Sequence, residues 1–366
     1  MATYIKNNFS NIAGLSFLFV GVVYLIFWSP IITFKPFFST QNHPYPQSNS
    51  LQQDVQNLDE LEVALEKASM FNKTLVIAMV NKAYVEQHND DVYMTMLDLF
   101  LESFWVGEET RPLIDHLLLV AVDQTAYDRC KFRGLHCYKL VTDGVDYAGE
   151  KLFMSDEFIN MMWRRTLFLL DVLKRGYNFI FTDTDVMWLR NPFGRLSKNE
   201  SEDIQISTDD FNGDPWSEYN YINTGFYYVR SNNRTISLFQ TWYDMKDNST
   251  GIKEQDVLVS LIYKGVFRQL GLKVRFLDSL YFSGFCKDSR DITAVTTVHA
   301  NCCRSIRAKV ADLAAVLRDW KKFRRLITAS DQAMAAGNRT QTFQWSKHIG
   351  CHNSWRVDPN NSTTLG

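Results

Sequence analysis

Two aspartates, Asp183 and Asp185, follow directly on the apolar run Tyr177 to Thr182 (YNFIFT), with Thr184 between them. In extended backbone, residues i and i+2 project to the same side with Cα atoms about 6.5–7 Å apart, so both carboxylates can address one hard cation. Oxygen-rich sites suit Mg²⁺ or Mn²⁺, ions that usually keep a substrate phosphate among their ligands. The chemistry such a pair serves is departure of a diphosphate whose charge the metal neutralises. Acids after strands also form turns and cap helices, so Asp-x-Asp alone is a weak signal that position has to strengthen.

The surrounding pattern supplies that position. Leu58 to Met70 has helical spacing, Thr74 to Val80 is a short apolar run as expected of a strand buried on both faces, and Asp90 to Trp105 is helical again. Leu117 to Val122 and Leu135 to Leu140 read as two more strands. Ser155 caps a long helix that opens with Asp156 and Glu157 and closes with Lys174, Arg175 and Gly176. Strand–helix alternation of this kind predicts an α/β fold, a mostly parallel sheet with helices on both faces. Ligands bind such sheets beyond the carboxyl ends of the strands, which is where Asp183 and Asp185 stand.

The chain of 366 residues is 46% hydrophobic and 22% charged, with a net charge of −2. That excludes a disordered or low-complexity chain, and it leaves no basic excess for a nucleic-acid partner. Residues 12–34 form an uncharged, apolar stretch long enough to cross a hydrocarbon core and lacking a small-residue cleavage site. It reads as an uncleaved signal anchor, with residues 1–11 as a cytosolic tail and residues 35–57, rich in Pro, Ser, Gln and Asn, as a stem. Residues 58–355 form the globular body, and residues 356–366 a frayed tail. Seven Asn-x-Ser/Thr acceptors follow the span, from Asn72 to Asn361, and the six cysteines also suit a lumen. Cys130 and Cys137 could close a small loop, and Cys286, Cys302, Cys303 and Cys351 could pair among themselves; six cysteines allow fifteen connectivities. His348, Cys351 and His352 invite a zinc reading but lack a second close ligand pair, so a tail segment is the better reading.

Gly176–Phe193 (GYNFIFTDTDVMWLRNPF) resembles the Asp-x-Asp block of the plant nucleotide-diphospho-sugar transferases, the family of the rhamnogalacturonan-II xylosyltransferases and extensin arabinosyltransferases. Further matching pieces follow in order: Ile206 to Asp209, Asn223 to Ser231, Glu254-Gln255-Asp256, and His299 to Cys303. The resemblance spans roughly residues 75–327. It implies a GT-A-like fold, Mn²⁺ or Mg²⁺, a UDP-sugar donor with retention of configuration, and a polysaccharide or glycoprotein acceptor. With the anchor, it implies a single-pass type II protein of the Golgi membrane.

By position, the resemblance makes Asp183 and Asp185 the metal-site acids and His299 the residue that completes the site. Asp256 would stand beside the donor sugar, with Asn223 and Gly225 lining the sugar pocket. Thr182, Thr184, Asp209 and Gln255 would join the donor site, and Arg165 could reach the diphosphate. Each has an ordinary alternative. His299 could be a strand-end histidine, Gln255-Asp256 a helix cap, Gly225 part of a tight turn, and Arg165 a buried stem with an exposed head. Two other functions compete. A haloacid-dehalogenase-like phosphatase also opens with an apolar strand and Asp-x-Asp, but near the start of its domain, and Met187 stands where a small β-branched residue is expected. A carbohydrate-binding scaffold on a transferase fold is the non-enzymatic alternative.

Overall fold

The structure, a computed structural model, describes residues 59–86, 94–142, 144–151, 153–289, 291–334 and 344–356. The apolar run at 12–34, the stem and the tail beyond Arg356 lie outside the described residues. Among the described residues no helix is long and apolar enough to cross a membrane.

Seven strands form the main sheet: β1 (Thr74–Val80), β2 (Leu117–Ala121), β3 (His136–Lys139), β4 (Asn178–Thr182), β6 (Ile204–Asp210), β7 (Tyr221–Val229) and β8 (Val274–Phe276). Their order is β3-β2-β1-β4-β7-β6-β8. The pairs β3/β2, β2/β1, β1/β4 and β6/β8 are parallel, whereas β7 runs antiparallel to both β4 and β6. A second sheet of β5 (Val186–Trp188), β9 (Phe282–Gly284) and β10 (Thr297–His299) has the order β5-β10-β9.

The apolar runs of β1 and β2 exist because both faces of the sheet are covered. Val76, Ala78, Leu117 and Leu119 pack toward helices α3 (Met96–Val106) and α9 (Ile306–Met334) and the small sheet. Leu75, Ile77, Leu118 and Val120 pack on the other face, under α1 (Glu60–Ala68) and α5 (Asp156–Lys174). That same face is covered further along by α6 (Asn233–Asp244) and α7 (Glu254–Tyr263). Among the described residues, further α-helices are α2 (Lys82–Val85), α4 (Gln124–Phe132), α8 (Val266–Gln269) and α10 (Ile349–Asn353).

α5 starts as its sequence predicts: Ser155 Oγ accepts the Phe158 N–H at 3.2 Å. It ends at Gly176, whose φ of +82° lies where a side chain would be strained. Disulfides join Cys130 to Cys137, Cys286 to Cys302 and Cys303 to Cys351. The last takes Cys351 away from any zinc site and fastens α10 to the body, so the segment is not a loose tail. Cys351 N–H also donates to Asp312 on α9 at 2.7 Å.

Candidate active site

The Asp-x-Asp segment is a turn, and this corrects the extended pleat expected of it. β4 stops at Thr182, β5 starts at Val186, and the Val186 N–H donates to the Asp183 carbonyl at 3.2 Å. The carboxylates converge because the chain folds back between two sheets. The Asp183 N–H still donates to Gly225 O at 2.7 Å, which continues the β4/β7 ladder and fixes the turn to β7. On the other side β10 pairs antiparallel with β5, setting His299 opposite Val186, and the Ala300 N–H donates to Asp185 O at 3.0 Å.

This places His299 Nε2 3.2 Å from Asp185 Oδ1 and 3.9 Å from Asp183 Oδ2. One ligand atom from each of the three lies within 4.8 Å of the others. Two carboxylate oxygens suit Mn²⁺ or Mg²⁺, and the imidazole nitrogen favours Mn²⁺ of the two, so the donor set fits the divalent metal that the resemblance implies. Lys309, on the first turns of α9, puts Nζ 2.8 Å from Asp185 Oδ2, leaving Oδ1 toward His299.

Charge is concentrated here at little exposure. Burial works against the Asp185 charge, but Lys309 and His299 outweigh it and hold this carboxyl well below the usual range. Burial likewise opposes the charged forms of His299 and Lys309, and Asp185 holds both above their ordinary values. Asp183 goes the other way: burial and the neighbouring Asp185 raise it, with Arg165 opposing. Burial lifts the nearby Tyr84 phenol to about 12.

Arg165 is only 4% exposed, so it is not a snorkelling surface arginine. Its Nη1 donates to Asp183 Oδ1 at 2.9 Å and its Nη2 to Glu254 Oε1 at 2.6 Å. Thr224 Oγ1 donates to the same Glu254 oxygen at 3.0 Å, and the Thr224 N–H donates to Gln255 Oε1 at 3.1 Å. Asn223 Nδ2 and Asn301 Nδ2 both donate to Asp209 Oδ1, at 2.8 and 2.6 Å, while Asn223 Oδ1 accepts the Gly225 N–H at 2.7 Å. Gly225 has to be glycine. A Cβ there would lie 2.3 Å from His299 Cε1 and 2.8 Å from Asp183 Oδ2.

A cleft of about 280 Å³ opens over these groups, lined by Arg165, Asp183, Thr184, Asp185, Asp209, Asn223, Gly225, Gln255 and His299. Two predicted residues are not brought in. Thr182 is buried beneath the turn, donating to Asp183 O at 3.1 Å and accepting from Trp188 Nε1 at 3.3 Å. Asp256 is half-exposed on the outer side of α7, 3.9 Å from Lys253, and does not line the cleft. Glu254, two residues earlier on the same helix, lines the cleft instead.

Residues 112–313 match the family model described as nucleotide-diphospho-sugar transferase. The chain belongs to that family. An uncharacterized protein of Arabidopsis thaliana is 54% identical over 95% of this chain and 96% of its own length. The UDP-galactose:fucoside alpha-3-galactosyltransferase of Dictyostelium discoideum is 29% identical over 52% of this chain, and the beta-arabinofuranosyltransferase RAY1 of Arabidopsis thaliana 26% identical over 50%. These matches cover 36% and 32% of those two relatives. As a nucleotide-diphospho-sugar transferase, this chain is a glycosyltransferase, and the phosphatase reading falls away.

Two further charged residues of the cleft carry a periodicity signal in the sequence. Glu254, Val257, Leu258, Leu261 and Ile262 are the buried stripe of α7, so helical spacing puts Glu254 inside and Asp256 outside. Lys309 interrupts the apolar stripe of Ile306, Val310 and Leu313 on α9, as Arg165 interrupts that of α5.

Proposed function

We propose that this transferase moves a pentose or hexose from a UDP-sugar to a hydroxyl of a cell-wall polysaccharide or glycoprotein, with retention of configuration, on a GT-A-like fold. The observation that carries the reading is the convergence of Asp183, Asp185 and His299 at the floor of the cleft. When bound there, Mn²⁺ or Mg²⁺ would offset the diphosphate charge as the sugar leaves. Arg165 orients Asp183, Lys309 orients Asp185, and Gln255 and Asn223 are held by backbone and side-chain bonds at the sugar end. Glu254 Oε2 is buried in the cleft wall with no hydrogen-bond partner among the described residues, a ready acceptor for a sugar hydroxyl. The names of the Dictyostelium and RAY1 relatives support both hexose and pentose donors. The apolar run at 12–34 and the acceptors for glycosylation after it support a type II protein of the Golgi membrane with its body in the lumen.

The test incubates the full chain in detergent with a panel of UDP-sugars, with Mn²⁺ or with EDTA, and follows UDP release. One donor should give metal-dependent release, and Asp185→Asn should reduce it by about a thousand-fold or more while the circular dichroism spectrum is unchanged. Full activity in Asp185→Asn would remove Asp185 from the site. Failure of UDP and Mn²⁺ to raise the melting temperature would favour the scaffold alternative.

A further inference from the structure

Beside the donor cleft lies a second concavity of about 470 Å³ that the reaction centre does not use. The two share a wall: Cys286, Cys302 and Trp355 line both. Trp355 stands at this junction with 45% of its surface exposed, although its indole N–H is fixed to Cys302 O at 2.6 Å. The Arg304 guanidinium lies 4.0 Å from its ring centroid. The Cys286–Cys302 and Cys303–Cys351 bridges hold the flanking backbone, so the ring is rigid as well as exposed. A rigid exposed tryptophan contributes contact area without a large ordering cost on binding.

The rest of the groove sets polar groups among apolar ones, Phe285 and Ile349 included. His348 stacks on Phe285 at 3.6 Å between ring centroids, and its Nε2 meets Asp288 Oδ1 at 2.9 Å. The other ring nitrogen, Nδ1, is buried without a hydrogen-bond partner among the described residues. Asp288 keeps 44% of its side chain exposed. An indole face beside a carboxylate and an imidazole is suited to a molecule with one C–H-rich face and a hydroxyl edge. Asp288 and Lys347 both line the groove and carry opposite charges, so its field favours neither an anionic nor a cationic ligand.

Building on the transferase reading, we infer that this groove is the acceptor subsite and that it takes a neutral saccharide, stacked on Trp355, whose reacting end passes the Cys286–Cys302 wall into the donor cleft. The occupant is a glycan rather than the peptide of a glycoprotein.

The test titrates arabino-, galacto- and xylo-tetraose into the full chain in detergent, with UDP and Mn²⁺ present, by calorimetry and tryptophan fluorescence. At least one tetrasaccharide should bind. Trp355→Ala should weaken it by about ten-fold or more, and Trp355→Phe, which keeps a ring, by less than about three-fold. The loss for saccharide should exceed any loss for UDP on the same samples. Equal saccharide affinity in wild type and Trp355→Ala overturns the inference. So does binding of none of the three, or binding of a hydroxyproline-rich peptide in their place. If UDP and Mn²⁺ fail to bind while saccharide binding still depends on Trp355, the transferase reading fails and the groove stands.

Discussion

The two halves of the main sheet are built on different rules. β1 after Thr74 and the whole of β2 are apolar, and the two pair in parallel without a register break. β6 and β7 change character along their length: Phe226 to Val229 are core, whereas Asn223, Thr224 and Gly225 face the cleft. The β6/β7 register shifts between Ile206 and Ser207 and again between Thr208 and Asp210, beside the residues that hold Asp209 and Asn223. The parallel half is a rigid wall, and the antiparallel half aims polar groups at the cost of regular pairing. The turn at Asp183 is the seam between them.

That contrast can be broken most forcefully at Arg165. Arg165→Met leaves Glu254 buried without its counter-charge, so unfolding by denaturant should show a loss of about 3–5 kcal/mol, and turnover should fall with it. Leu118→Ala, in the parallel half, should cost a similar ~2–5 kcal/mol by the same measurement. Its turnover per folded molecule should stay at the wild-type value, and a fall would mean that the wall takes part in aiming the site. Gly225→Ala should separate the two halves in the opposite sense. Pushing His299 and Asp183 apart should lower turnover by about a hundred-fold while thermal unfolding shifts little, because misplacement of about 1 Å is enough.

The gentlest probe is pH. Asp185 outweighs burial and raises His299 above its ordinary 6.5. Without added metal, the stability this charged histidine contributes is fully present below pH 6.5 and lost as pH rises through its raised value. A metal needs the neutral ring, so Mn²⁺ affinity should instead fall by about ten-fold per pH unit below that value. Electron paramagnetic resonance titrations across this range would read the slope, and a flat profile would take His299 out of the donor set.

Much of the frame was legible because burial on both faces leaves an unbroken apolar run, and because Ser155 and Gly176 mark the ends of α5 by simple hydrogen-bond chemistry. The aspartate pair was legible by type, but its geometry was not, since the mostly apolar run Tyr177 to Thr182 does not say where a strand stops and a turn starts. His299 was reached only through resemblance: a lone histidine after a β-branched run does not reveal that β10 will pair with β5. Glu254 and Lys309 were within reach of periodicity, yet a charge in an apolar stripe reads as a defect until its partner is known. The short Cys130–Cys137 loop was legible from spacing, but the partition of the other four cysteines was not, since adjacent Cys302 and Cys303 point to different segments.

The seam also has a history in time. Asp185 is made over a hundred residues before His299 and Lys309, the two groups that balance its charge. At typical synthesis rates that interval lasts roughly 6–25 s. During it, β1, β2 and β4 can already pair while the turn that follows β4 stays hydrated, because its carboxylate has no cation to meet. The charge-balanced floor of the cleft can therefore close only once Lys309, at the start of α9, has been made.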